Sequence, residues 1–359
     1  MLENVRSNLQ YLSTQVDAPA LSPCESSRSP DVDTERASPR YRDIDLWDPG
    51  DILEALIEGQ FVAVAAVRAA RPALERAARA IEARLKRGGR LVYAGAGTSG
   101  RLAVQDGAEL MPTFSWPADR LLLLIAGGNE ALLRAVEGAE DQVEHAAQLV
   151  RSHGIGTADA VIAVAASGST PFTVACLREA KRRGALTVGI ANNDDTPLLT
   201  ESDCPVLLAT GSEPIAGSTR MKAGTAQRIA LNLLSSLIMI RLGRVYGGLM
   251  VDVQAANAKL ARRSQGMLRH LTGRSGEEIS AALAAADGSV KLAALLLKGC
   301  DLAEARTVLE RAGGQLRVAL ASVESRAPAR PALAEQGGSG ATGKRPQRAG
   351  TPASNRPRM

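Results

Sequence analysis

The sequence predicts an α/β protein, with a doubly wound, mostly parallel five-stranded sheet and a small C-terminal helical module. Three observations predict it. Five short apolar runs, at 91–94, 121–126, 161–166, 186–191 and 205–209, alternate with stretches whose apolar residues recur every three or four positions. Alternation of that kind builds a parallel sheet with helices on both faces. Loops rich in glycine and hydroxyl side chains follow the first and third runs, at the strand ends where open α/β sheets bind ligands.

Residues 1–33 are rich in Ser, Pro and Asp and read as a disordered leader. A helical lead-in is expected over 34–90, where Asp51 to Leu56 and Val62 to Leu85 carry apolar residues at helical spacing. It stops at Lys86-Arg87-Gly88-Gly89, where cations meet a helix C-terminus and glycine ends it. The α/β domain spans 91–270. It includes a helix from Glu130 to Val150, a long one from Met221 through Arg241, and another from Val251 to His270. A module of short helices is expected over 275–322, with Asp301 as N-cap and Glu304 as its reciprocal partner. Residues 323–359 mix Pro, Gly, Ala and Arg with little to bury and read as a disordered basic tail.

Composition excludes several function classes. From Glu324 onward, seven Arg or Lys against two Glu account for the whole net charge of +5, so the body is formally neutral. With no aromatic residue in that tail there is no platform for base stacking, and no nucleic-acid partner is expected. The apolar strand runs are too short to span a bilayer, and the N-terminus lacks the charged-then-apolar order of a secretory signal. No membrane partner is expected, and a cytoplasmic location is. Cys24, Cys176, Cys204 and Cys300 show neither disulfide nor ligand spacing, and His145, His153 and His270 form no ligand pair. Neither metal nor cofactor is expected.

The most informative segment is Leu91-Val92-Tyr93-Ala94-Gly95-Ala96-Gly97-Thr98-Ser99-Gly100-Arg101. A strand enters a glycine loop with two hydroxyls and a helix follows, which is the pattern of a phosphate cradle in Gly97, Thr98 and Ser99. Gly95, Gly97 and Gly100 also satisfy the dinucleotide fingerprint. That alternative lacks its acidic residue, because the second strand ends in Gly127-Gly128-Asn129. A similar loop, Ser167-Gly168-Ser169-Thr170-Pro171, follows the third strand. A third hydroxyl pair, Ser218 and Thr219, sits at a helix start with Arg220 and Lys222 within reach. Each loop alone is equally compatible with helix capping; three in register suit one compact phosphate on a small molecule.

With no metal set, the candidate acids and bases are carboxylates. Glu109 is expected near a helix end beside Leu110-Met111-Pro112-Thr113-Phe114, where burial would raise its pKa, and a surface glutamate is the alternative. Glu140 interrupts the stripe Leu133, Val136, Val143, Ala147, Val150 and is expected to face inward, for function or in a buried ion pair.

Five segments together, Tyr93 to Arg101, Asp106 to Phe114, Ala135 to Asp141, Gly217 to Gln227 and Leu249 to Gln254, resemble the N-acetylmuramic acid 6-phosphate etherases. These belong to the sugar isomerase (SIS) domain proteins. The similarity runs from about Thr34 to Leu320. It implies a metal-free cytoplasmic homodimer that splits the D-lactyl ether of a sugar phosphate, with Glu109 and Glu140 catalytic and Glu109 as proton donor. The chain departs from the family pattern in Gly107-Ala108-Glu109-Leu110-Met111-Pro112, which lacks a hydroxyl beside the acid, in Ser169, where arginine is common, and in Asn192-Asn193, which replaces a Cys-Asn pair. Two alternatives share the phosphate cradle: a non-catalytic sugar-phosphate sensor and an aldose-ketose isomerase.

Overall fold

The computed structural model describes residues 32–252 and 258–325; the expected leader up to residue 31, positions 253–257 of the helix drawn from Val251, and the tail from 326 onward lie outside them. Three 3-10 turns, Asp33–Glu35, Pro39–Tyr41 and Ile44–Leu46, lead into α1 (Pro49–Ala69) and α2 (Arg71–Lys86). The helical pattern read across Val62 to Leu85 is broken at Ala70. Pro72 there sits in the first turn of α2, where its missing N–H costs no helix bond.

Five parallel strands follow: β1 (Leu91–Gly95), β2 (Leu121–Ile125), β3 (Ala160–Val164), β4 (Leu186–Ala191) and β5 (Cys204–Leu207). All five are parallel, as the alternation predicts, and their spatial order is β2-β1-β3-β4-β5. β1 and β3 are hydrogen-bonded neighbours, with Gly95 opposite Val164, yet the chain leaves β1 toward one edge and β3 toward the other. Their carboxyl ends therefore flank the crevice in which sheets of this type take ligands.

Alternation along each strand divides the core. Leu91, Tyr93, Ile162, Val164, Val188 and Ile190 face one side, against α1, α2 and α8 (Lys222–Arg241). Val92, Ala94, Val161 and Ala163 face the other, against α5 (Val143–Ser152) and α6 (Pro171–Arg182). By length and composition α8 could cross a membrane, but it packs against α1, α2 and α3 (Gly97–Ala108), which makes it a core helix.

The helix drawn from Glu130 to Val150 is not continuous. Gly127, Gly128 and Gly138 take positive φ, and two 3-10 turns, Gly128–Leu132 and Ala139–Asp141, precede α5. The apolar spacing there arises in irregular backbone, and Leu133 is 94% exposed. The helix drawn over Val251 to His270 is also revised. Val245–Tyr246 and Leu249–Met250 form an antiparallel hairpin, β6 and β7, and the helix α9 is Ala258–Thr272.

The remaining helices, α10 (Gly276–Ala285), α11 (Val290–Leu296), α12 (Leu302–Arg311) and α13 (Leu316–Glu324), share a separate core with Met267, Leu268 and Val251. Asp301 accepts from the Glu304 N–H as expected, and a complete capping box forms between Ser275 and Glu278. Lys291 Nζ links this core to the hairpin through Asp252 at 2.8 Å.

The glycine loop is fixed by contact between backbones. A Cβ on Gly100 would lie 2.8 Å from Gly95 O and 2.9 Å from the Ile125 side chain, so only glycine lets α3 start this close to β1. Gly100→Ala is expected to destabilise the fold by about 1–3 kcal/mol through overpacking, read as a lower denaturation midpoint at unchanged m-value. An unchanged midpoint would show that the helix can retreat from the sheet without cost.

Candidate functional site

Three loops meet beyond the strand ends. The first begins at Gly97, with φ of 52°. Ala96 is the N-cap of α3 and supplies no side-chain bond, leaving the first N–H groups of the helix to an external acceptor. Thr98 is half-buried and Ser99 buried. The second loop runs from Ser167 to Thr170. Ser167 Oγ accepts from the Ser169 N–H at 3.2 Å and lies 3.3 Å from Thr170 Oγ1. Gly168 has φ of 72° and is pressed on Thr196, while Ser169 is exposed.

The third loop comes up beside the first. A Cβ on Gly224 would stand 3.5 Å from Thr98 Cγ2 and 3.2 Å from Thr219 O. Ser218 and Thr219 are half-buried and Arg220 is exposed. The helix start on this loop is already occupied. Glu213, fully buried, accepts from the Lys222 N–H at 3.2 Å and the Ala223 N–H at 2.8 Å, so α8 already carries a carboxylate at its N-terminus. Burial pushes the Glu213 carboxyl up, against those two bonds and the nearby Lys222. Lys222 is only 5% exposed, and its stem lies under Gly59 of α1. Burial also pushes its ammonium down, with Glu213 opposing. Lys222 thus serves the interior charge of Glu213, and the cation left facing out on this loop is Arg220.

Neither candidate glutamate is buried. Glu109 is the exposed junction between α3 and a short helix α4 (Leu110–Phe114), in which Pro112 occupies the first turn instead of ending the helix. Glu140 is exposed in the turn Ala139–Asp141 and does not face inward, because the helix that would have turned it in does not form. The segment carrying Glu140 is anchored to α3 through Arg101, which donates to Ala131 O at 2.7 Å and Arg134 O at 3.2 Å. Beneath Glu109 lies a carboxylate that sequence reasoning passed over. Asp106 accepts from Tyr93 Oη at 2.8 Å and Ser235 Oγ at 3.1 Å.

A second missed group joins the strand ends from behind. Gln227 Nε2 donates to Asn192 Oδ1 at 2.9 Å, and Asn192 Nδ2 donates to Leu208 O at 3.0 Å and Thr210 Oγ1 at 3.2 Å. Gln227 Oε1 is buried without a protein partner among the described residues. Asn193 reaches back to Thr34, fully buried, on the first 3-10 turn. Amphipathic spacing gives no sign of such pairs, which are polar, interior and far apart in sequence. Among the described residues no group of three or more His, Cys, Asp or Glu could hold a metal ion.

The family model for the glucokinase regulatory protein N-terminal SIS domain matches residues 73–181, and that for the SIS domain matches 136–237. The chain is 53% identical over 293 residues to the N-acetylmuramic acid 6-phosphate etherase of Deinococcus radiodurans, covering 81% of this chain and 96% of that protein. It belongs to the N-acetylmuramic acid 6-phosphate etherase family. Other members include the etherases of Streptomyces avermitilis, 46% identical over 80% of this chain and 93% of that one, and Vibrio vulnificus, 42% over 80% and 96%. Among solved structures, a phosphoheptose isomerase from Francisella tularensis aligns at 20% identity with a TM-score of 0.43, covering 54% of this chain and all of that one.

The Asp106 site gives a pH prediction. Burial pushes its carboxyl above the usual range, against the Tyr93 and Ser235 hydroxyls and Arg228, with Glu109 adding to the rise. A carboxyl whose pKa is raised on folding contributes stability below its unfolded pKa of about 3.9, lost as pH rises through the folded pKa. The wild type's advantage over Asp106→Asn in thermal midpoint is therefore expected to be largest in acid and to shrink toward neutral pH. An advantage that grows with pH would mean that the buried charge itself stabilises the fold.

Proposed function

We propose that this enzyme splits the D-lactyl ether of N-acetylmuramic acid 6-phosphate, releasing D-lactate and N-acetylglucosamine 6-phosphate, in cytoplasmic recycling of cell-wall sugars. The observation that carries the reading is the family membership over four fifths of the chain, on a parallel sheet whose neighbouring strands β1 and β3 are each followed by a hydroxyl-bearing loop. Ser99, Ser167 and Thr170, with the uncapped start of α3, form a cradle for the phosphate. Ser218, Thr219 and Arg220 border it from the third loop, and Arg220 is placed to neutralise the phosphate or the lactyl carboxylate.

The bond is cleaved by elimination. Opening of the sugar ring exposes an aldehyde at carbon 1, which acidifies the hydrogen on carbon 2. Glu140 as base removes that proton, while Glu109, protonated, gives its proton to the lactyl oxygen leaving carbon 3. Water then adds to carbon 3 and a proton returns to carbon 2, restoring the sugar. Two carboxyl groups, one giving a proton and one taking it, suffice for such lyase chemistry. Both are exposed in the chain alone, open to a bound sugar or to a second subunit.

A homodimer is part of the proposal. Leu53, Ile57, Phe61 and Val64 line one exposed face of α1, and beside them a groove of ≈ 750 Å³ opens between α1, α2 and α8. Phe61→Asp is expected to convert a dimer to monomers in sedimentation velocity runs. A variant that remains as associated as the wild type moves the interface elsewhere.

The match to the glucokinase regulatory domain over 73–181 favours a second reading, a sensor that binds the sugar phosphate without reacting. One experiment separates them: the purified chain with N-acetylmuramic acid 6-phosphate, followed for lactate. Lactate is expected, with ¹⁸O from labelled water at sugar carbon 3 and solvent deuterium at carbon 2. Glu109→Gln should lower kcat by at least about 10²-fold. Binding without lactate supports the sensor, and label in the lactate hydroxyl overturns elimination.

A further inference from the structure

We propose that Thr34 is a positioning residue for the sugar phosphate, locking the loops after β3, β4 and β5 in the arrangement that brings Ser167 and Ser218 to one ligand. The inference rests on the cradle described above and extends it to a segment outside the sheet. Thr34 is 0% exposed, though its neighbours Asp33 and Glu35 are both on the surface. Its own bonds reach the loops after β4 and β5, and Asn193 carries the link on to the loop after β3. The Thr34 N–H donates to Asn193 Oδ1 at 3.2 Å, and Asn193 Nδ2 donates to Thr34 Oγ1 at 3.0 Å. The same Asn193 nitrogen donates to Ala166 O at 2.8 Å, one residue before Ser167. On the other side the Gly217 N–H donates to Thr34 O at 3.1 Å, one residue before Ser218.

Both hydroxyl residues of interest therefore hang from backbone groups that Thr34 and Asn193 hold. Gly217 allows the seat to form. Its φ is 75°, and a Cβ there would lie 2.8 Å from Glu35 Oε2. The segment is pinned farther on by an ion pair between Arg40 and Glu58 of α1. A fold residue would need no such reach across three loops at the ligand end of the sheet. The bonds act on loop spacing, and loop spacing sets how many hydroxyls meet one phosphate.

Thr34→Val keeps the shape and the backbone bonds but removes the Oγ1 acceptor. In lactate release from N-acetylmuramic acid 6-phosphate it is expected to raise KM by roughly three- to tenfold, the effect of about one hydrogen bond, with the thermal midpoint nearly unchanged. Thr34→Ser should restore KM. The rise should be smaller in a Ser218→Ala background, since the hydroxyl being positioned is then absent. Unchanged KM in Thr34→Val while Ser167→Ala and Ser218→Ala raise it overturns the proposal and leaves the cradle standing. Unchanged KM in both serine variants removes the cradle, and the proposal with it. Should Thr34→Val fail to fold, Thr34→Ala takes its place. Failure of both, or loss of thermal midpoint without a KM change, makes Thr34 a fold residue and overturns the proposal.

Discussion

The site depends first on a contact between two backbones that no side chain separates. Gly95 ends β1 and Gly100 lies in the first turn of α3, and each occupies the space where the other would carry a Cβ. This contact sets where the helix begins relative to the sheet, and hence the point at which its free N–H groups converge. Ser99 and Thr98 inherit their positions from it. So does Glu109, at the far end of the same helix. One steric requirement thus places both an anion-binding end and a carboxylate.

Charge around the site is distributed by burial more than by count. The third loop offers two cations in sequence, but Lys222 is drawn under α1 beside buried Glu213, leaving Arg220 outward. The carboxylate satisfies the first amides of α8 and places negative charge where the helix dipole favours it. An anion approaching this face therefore meets two helix ends without a side-chain cap, at α3 and α6, and one already occupied, at α8. That asymmetry favours seating a phosphate over β1 and β3 and leaves the sugar to extend toward the third loop.

Short continuous apolar runs, apolar residues at three- and four-residue steps and glycine stops made all five strands and most of the long helices readable, because burial leaves a regular mark on composition. The stretch from Glu130 to Val150 misled for the same reason: apolar residues at helical steps look alike whether the backbone is helical or turns twice through positive-φ glycines. Glu109 and Glu140 were singled out by an adjoining apolar stretch and an interrupted apolar stripe, and the family resemblance named the same pair, while the buried surroundings expected for them depended on that helix and on cover from Leu110 to Phe114 that leaves Glu109 exposed. Thr34, Asp106, Glu213 and Gln227 left no periodic trace at all. Their partners are many residues away, and a buried polar residue in isolation resembles any surface one.

The link between Thr34 and Asn193 spans 159 positions of sequence. Chain synthesis delivers the first of these residues long before the second, and Gly217, which closes the seat, comes later still. Until then the loops after β3 and β4 can form locally but have no tie through Thr34 to the loop after β5. Strand pairing can proceed from nearby segments, whereas the proposed binding geometry waits on the contact between Thr34 and Gly217. A ribosome-bound chain therefore acquires its sheet progressively and its binding geometry in one late step.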